Sequence, residues 1–256
     1  MIKKVNFHTH TNFCDGKNTP EEMVKAAIEK GFSVIGFSGH SYTSFDERYC
    51  MSEEGTKKYI AEITRLKEAY KEQIEILCGL EADYFAIVNK SDFDFIIGSV
   101  HYVLKNGKFY SVDESKEDFI NAVNEGWSGD ICAFIADYYA QVADVIEKTD
   151  ADIIGHFDLV TKFNEGEELF SESDPRYVKA VDLALSKLLK TEKPFEINTG
   201  AMAKGYRTAP YPSKDILTKI YEGGGKVIIS SDCHDKDYLD YGFEMAEKIV
   251  KEIGFN

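Results

Sequence analysis

Short apolar runs and longer amphipathic stretches follow one another along the chain in a regular order. Residues 5–10, Val-Asn-Phe-His-Thr-His, read as an extended strand. Thr19-Pro20-Glu21-Glu22 then opens a helix with a capping residue, a proline at its first position and early acids; Gly31 stops it after Lys30. Val34–Phe37 is a second strand, leading to Ser38-Gly39-His40. After a loop rich in tyrosine, serine and acids, a helix is predicted over 53–72, a strand over 74–80 ending at Glu81, and a strand over 93–100 ending at His101.

Residues 104–150 break this rhythm. Lys105-Asn106-Gly107-Lys108 is a hairpin-like turn, and two helices follow near 115–124 and 130–148. The segment reads as an insertion after the fourth strand. The rhythm returns with a short strand at 152–155 ending at His156. A helix over 175–191 is capped near Ser173 or Asp174, and a strand at 194–197 runs into Asn198. A helix after Tyr211-Pro212-Ser213 ends at Gly223-Gly224-Gly225. A last strand at 226–230 leads to Ser231-Asp232-Cys233-His234, and a closing helix spans 237–252.

Seven strands, mostly followed by helices, imply a parallel α/β sheet with right-handed crossovers. No Gly-rich dinucleotide fingerprint is present, so a closed TIM-like barrel is favoured over a doubly wound sheet, in a single domain over 1–256 with the insertion at 104–150.

The formal net charge of -15 opposes binding to nucleic acid or anionic membranes. Its acids are dispersed over helix faces, so an anionic substrate needs a local positive site, such as bound metal. Five cysteines without a CxxC pair read as reduced thiols of a cytoplasmic protein. The start, Met1-Ile2-Lys3-Lys4, runs into the first strand without an apolar signal core, and no apolar run is long enough to span a membrane.

The candidate chemistry lies in the histidines. All six, His8, His10, His40, His101, His156 and His234, fall at the C-terminal ends of predicted strands. In a parallel barrel that end is where active sites are built. His8 and His10 share one face of their strand, and Asp232 and His234 repeat the spacing. Asp15, Glu81 and Asp232 fall at the same level. These nine nitrogen and oxygen donors are too many for one ion; three ions with a bridging carboxylate would use them all. Imidazole and carboxylate ligands suit zinc, iron or manganese with positions open to water.

Six motifs carry a family resemblance: His-Thr-His with Asp15, Ser-Gly-His at 38–40, Glu81 in Gly-Leu-Glu-Ala-Asp-Tyr, Gly-Ser-Val-His at 98–101, Gly-His-Phe-Asp at 155–158 and Ser-Asp-Cys-His at 231–234. Together they resemble the polymerase and histidinol phosphatase (PHP) superfamily over nearly the whole chain. The length and the insertion are similar to the monofunctional histidinol-phosphate phosphatases. The resemblance implies a distorted seven-stranded barrel with a trinuclear metal site. His8, His10, Glu81 and Asp232 would hold one divalent ion; Glu81, bridging, with His101 and His156 a second; Asp15, His40 and His234 the third. Some relatives have histidine in place of Asp15. The implied reaction is hydrolysis of L-histidinol phosphate to L-histidinol and phosphate in histidine biosynthesis, by metal-activated water. The alternatives are another phosphoesterase of the superfamily, acting on nucleotides or as an exonuclease, and a non-catalytic metal-binding protein.

Other residues are candidates for support. Arg207 is expected to bind phosphate, since a guanidinium matches phosphate oxygens bidentately, and the family has a basic residue at the comparable place. Lys162 is expected to share that task; relatives often have arginine there. Asn198 would orient ligand or water, and Asp83, which shares a face with Glu81, would support the metal ligands from behind. Cys14 and Cys233 neighbour ligands but are not expected to coordinate. Trp127, Tyr138 and Tyr139 read as core. Trp127, Tyr138, Tyr42 and Glu47 are nevertheless candidates to pack on an imidazole or neutralise an ammonium, and Arg48 to reach substrate.

Overall fold

The structure, a computed structural model, describes residues 4–255. The expected signal-free start at residues 1–3 lies outside the described residues. Seven strands form one parallel sheet: β1 (Val5–Asn6), β2 (Val34–Phe37), β3 (Glu75–Asp83), β4 (Phe95–Ser99), β7 (Ile153–Ile154), β8 (Phe195–Asn198) and β9 (Val227–Ser230), paired in that order. Between β4 and β7 come an antiparallel hairpin, β5 (Tyr102–Lys105) and β6 (Lys108–Ser111), and the helices α3 (Lys116–Trp127) and α4 (Ile131–Thr149). The remaining helices are α1 (Pro20–Glu29), α2 (Glu53–Tyr70), α5 (Pro175–Leu188), α6 (Gly200–Ala203), α7 (Lys214–Glu222) and α8 (Phe243–Ile253). Among the described residues no helix is long and apolar enough to cross a membrane.

The sheet curls into a nearly closed α/β barrel, the expected class. Its seam, between β1 and β9, has no continuous ladder. One parallel bridge, Thr9 with Cys233, closes it at the C-terminal end, where the His10 N–H donates to the Cys233 carbonyl at 2.9 Å. Below it the buried Asn6 amide stitches the gap, donating to Ser231 Oγ at 2.6 Å and to the Leu239 carbonyl at 3.0 Å.

Local rules explain the elements around the barrel. Thr19 and Glu22 form a reciprocal capping box at the start of α1. Asn106 and Gly107 both take positive φ, as a two-residue hairpin turn requires. Three expectations differ from the structure. The first strand is paired only over Val5–Asn6 and at Thr9, because the seam lacks a ladder. The helix expected over 237–252 is broken: Gly242, at φ 76°, starts α8 afresh after a short turn at Lys236–Tyr238. The short helix α6 was not expected.

Phe95, Ile97 and Ile153 fill the barrel, with Phe7, Leu77 and Ile228 packed against them. Phe95 fits because its neighbours on β2 and β3 are glycines. A Cβ at Gly79 would sit 2.3 Å from the Phe95 ring. Gly79→Ala is therefore expected to destabilise the fold by about 1–3 kcal/mol through overpacking, measured by urea unfolding. Phe95→Leu in the same chain should restore part of that loss.

Candidate metal centre

Side-chain direction alternates along a strand, so Leu77 and Gly79, which face the barrel interior, put Glu81 on the same face at the strand's C-terminal end. The histidines leave neighbouring strands at that level. Glu81 is buried, and its two oxygens face different sets of imidazoles. Oε2 lies 2.9 Å from His40 Nδ1, 3.2 Å from His8 Nε2 and 3.6 Å from His10 Nε2. Oε1 lies 2.9 Å from His156 Nε2 and 3.4 Å from His101 Nε2. Asp232 Oδ1 approaches His10 Nε2 at 3.1 Å and His8 Nε2 at 3.6 Å. Asp15 Oδ2 lies 3.1 Å from His234 Nε2, and its Oδ1 3.7 Å from both His10 Nδ1 and His40 Nε2. The His10 and His234 rings are stacked at 4.1 Å.

All nine expected donors thus lie in one cluster. Three groupings have donor atoms close enough to share an ion: His10, Asp15, His40 and His234; His8, His10 and Asp232; His40, Glu81 and His101. These overlap the expected ligand sets without repeating them: His10 and His40 each stand in two groups, and His156 stands in none. Asp232 departs from simple strand alternation. Its φ of 47° is a left-handed conformation that aspartate tolerates, and such outliers gather at functional sites.

The buried atoms His8 Nε2, His10 Nε2, Glu81 Oε2 and His156 Nδ1 have no hydrogen-bond partner. Buried polar groups are normally satisfied, and here three of the four point into the same cluster. A divalent cation fits this donor set, since it would satisfy acceptor atoms that no protein hydrogen reaches. The electrostatics agree. Burial pushes the Glu81 and Asp232 carboxyls up, but the imidazoles around them, His8 foremost, hold both well below the usual carboxylate range. Burial, with His234 and His40 beside it, lowers His10 to about 3, so its ring is neutral and free to donate a lone pair. Burial likewise lowers His8, but Glu196, Asp232 and Glu81 outweigh it and raise its pKa well above the usual value, so proton and cation compete there.

Supporting contacts reach this cluster from further out. Asp83 Oδ2 lies 3.3 Å from His101 Nδ1. Asn198 donates from Nδ2 to Asp232 Oδ2 at 3.1 Å. Burial pushes the Cys14 and Cys233 thiols up to about 12, so neither offers a thiolate. Glu196 was missed by sequence reasoning. It is fully buried on β8, with Oε1 2.6 Å from His8 Nδ1 and Oε2 accepting from the His156 N–H at 2.9 Å and from Asn198 Nδ2 at 3.0 Å. The signal was weak: an acid two positions before Asn198 in a short strand, with nothing local to say that this face turns inward.

A cavity of about 230 Å³ opens beside the cluster. Asp15, His40, His101, His156, Asp232 and His234 line its metal side; Tyr49, Tyr102, Asp113, Glu114, Lys162 and Lys204 contribute to the rest. Lys162 donates to the Asp113 carbonyl at 2.7 Å and to Asp113 Oδ2 at 3.1 Å. Although burial disfavours its charge, Asp113 raises the Lys162 pKa, so the ammonium persists. Arg207 is placed differently from Lys162. Its Nη1 donates to the Thr161 carbonyl at 2.7 Å and to Thr161 Oγ1 at 2.8 Å, its Nε lies 3.1 Å from Glu165, and it does not line this cavity.

The aromatic candidates need correction. Trp127 and Tyr138 are core, as is Tyr139, and none reaches the cavity: Trp127 donates to Asp137 at 2.9 Å and Tyr138 to the Phe157 carbonyl at 3.1 Å. Tyr42 and Glu47 pair with each other at 2.7 Å on the exposed loop surface. Arg48 is also exposed and pairs with Asp46 and Glu114.

A parallel barrel whose C-terminal mouth gathers six imidazoles and three carboxylates defines a metal-binding protein with its chemistry in the mouth. The PHP domain matches residues 6–200, and the chain belongs to that family. A relative from Schizosaccharomyces pombe, named "Probable histidinol-phosphatase", is 27% identical over 98% of this chain and 87% of its own length. The crystal structure of Listeria monocytogenes hisK has a TM-score of 0.80 at 24% identity, covering 94% of this chain and 99% of its own. Histidinol phosphate phosphatase from Lactococcus lactis, solved with zinc, L-histidinol and phosphate, has a TM-score of 0.72 at 23% identity, covering 99% of this chain and 95% of its own. Both structures share this fold.

Proposed function

We propose that residues 1–256 form one barrel domain, with 104–150 inserted, acting as a metal-dependent phosphomonoesterase on L-histidinol phosphate. The ligands of up to three divalent ions, zinc, iron or manganese, are His8, His10, Asp15, His40, Glu81, His101, His156, Asp232 and His234. The observation that carries this reading is Glu81, whose two oxygens face two sets of imidazoles while buried donor atoms around it lack any hydrogen-bond partner. When bound, the metals supply a Lewis acid for phosphate oxygens and lower the pKa of water toward neutrality.

The chain's own residues do the rest. Lys162 is held at the cavity wall by Asp113 and brings fixed positive charge to the phosphate, where charge develops during transfer. Lys204, on the same wall, adds to it. Arg207 acts one step back, by fixing the Thr161 turn that precedes Lys162. A cavity of about 230 Å³ falls below the roughly 300–1,000 Å³ typical of drug-sized ligands and suits a small monoester. The names of the relatives, and the ligands in the Lactococcus lactis structure, support the choice of substrate.

Protein stripped by a chelator is expected to lose activity on L-histidinol phosphate and regain it with zinc, manganese or iron. Mass spectrometry of the reloaded protein should count up to three ions per chain. In a substrate panel, kcat/KM should be higher for L-histidinol phosphate than for simple alkyl phosphates or nucleoside monophosphates. Full activity in metal-free protein would refute the metal reading; preference for a nucleotide would refute only the substrate.

A further inference from the structure

We infer that the cavity wall supplied by the 41–50 loop and by the segment after β6 selects phosphomonoesters of cationic alcohols, with Glu114 as the specificity-determining carboxylate. The inference rests on the phosphomonoesterase reading and adds the residues that choose among esters.

The wall is fixed by packing. Phe45 stacks on Phe109 of β6 at 3.7 Å and 5° and meets the edge of Tyr102 at 4.9 Å. Phe85 packs edge-on against Phe109 at 5.0 Å. These contacts tie the loop after β2 to the hairpin, and Tyr102 reinforces them by donating its hydroxyl to Asp46 at 2.8 Å. Tyr49 and Tyr102, which both line the cavity, are thereby held with their rings 25° from parallel. Tyrosine rings so placed give a flat, polarisable surface for an imidazole or an organic cation.

Charge gives the wall its sign. Arg48 donates to Asp46 at 2.6 and 2.8 Å and to Glu114 at 3.2 and 3.3 Å. One guanidinium therefore faces two carboxylates and favours Asp46. Asp113 is already matched by Lys162. One negative charge is left over in this group, and of the Arg48 partners it is Glu114 that lines the cavity. The cavity is thus polar end to end: divalent ions and Lys162 for the phosphate, Glu114 and two tyrosines for an ammonium and its ring. An ester with a carboxylate at that end would meet repulsion, which excludes competitors as effectively as attraction admits the substrate. The sequence candidates Tyr42 and Glu47 lie in the same loop, but they pair with each other and leave the task to Tyr49 and Glu114.

The test compares substrates within each variant. Metal-loaded wild-type protein and Glu114→Gln are assayed with L-histidinol phosphate, with the imidazolylpropyl phosphate that lacks the amine, and with phosphoglycolate, which carries a carboxylate. Glu114 is half exposed, so the fold should tolerate the change. A half-exposed charge pair is worth at most about a fivefold change in binding, so the substitution is expected to lower kcat/KM for histidinol phosphate roughly three- to fivefold more than for the amine-free ester, mostly through KM. Glu114→Lys should move the ratio of histidinol phosphate to phosphoglycolate further the same way. If the wild type prefers histidinol phosphate and both variants keep that preference within twofold, the role of Glu114 is refuted while the phosphomonoesterase reading stands. A wild type without activity on any of the three esters refutes both.

Discussion

Glu81→Gln is expected to cost roughly a hundredfold or more in turnover and to lower the number of ions bound per chain. Altering the residues that merely orient metal ligands already costs 10–100-fold, and Glu81 stands closer to the proposed ions than these. Its Oε2 faces His8, His10 and His40, and its Oε1 faces His101 and His156. An amide retains one oxygen; its nitrogen has no lone pair for a cation and would press two hydrogens toward imidazole nitrogens. In either amide orientation one set of histidines loses its shared oxygen. The loss of stoichiometry should therefore persist in excess metal. Metal analysis and kcat on the same preparation check this, with circular dichroism as the control for folding. A variant that binds the full complement and turns over normally would show that Glu81 bridges nothing.

Much of this arrangement was legible because it depends on short-range rules. Caps, glycine stops and period-two alternation mark the strands. Once Val34–Phe37 and the run before His101 are recognised as parallel strands, histidines at their ends must meet at one mouth. What was not legible depends on partners distant in sequence. The first strand has the pattern of a full strand, yet it pairs only in part because the barrel seam leaves it without a ladder on one side. Arg207 has the chemistry of a phosphate ligand, but Thr161 and Glu165, more than forty positions earlier, take its guanidinium. Trp127 and Tyr138 read as core and are core, but their alternative role against substrate fails because the packing of α3 and α4 holds them away from the cavity. The acid of Phe195-Glu196-Ile197-Asn198 resembles one on a solvated strand face until the barrel closes around it.

Glu196→Gln is expected to weaken metal binding 10–100-fold at the position served by His8 and, unlike Glu81→Gln, to recover most of its turnover when metal is raised. The reason is an excess of donors. Glu196 meets three nitrogens with two oxygens: His8 Nδ1 on Oε1, and the His156 N–H and Asn198 Nδ2 on Oε2. Accepting from Nδ1–H leaves the His8 Nε2 lone pair directed toward Glu81 and Asp232, where a cation would sit. Glutamine has only one accepting oxygen. If its oxygen faces His8, its amino group confronts the His156 N–H and the Asn198 amide, and Asn198 can no longer steady Asp232 from the same position. If its oxygen faces the other way, its amino group donates to Nδ1 and moves the imidazole proton to Nε2, blocking the atom meant for the metal. The cost falls on affinity, because the donors themselves remain. Competition with a chelator at fixed pH gives the dissociation constants, and kcat at saturating metal gives the other half of the comparison. Affinity within twofold of wild type would show that the His8 tautomer is set without Glu196.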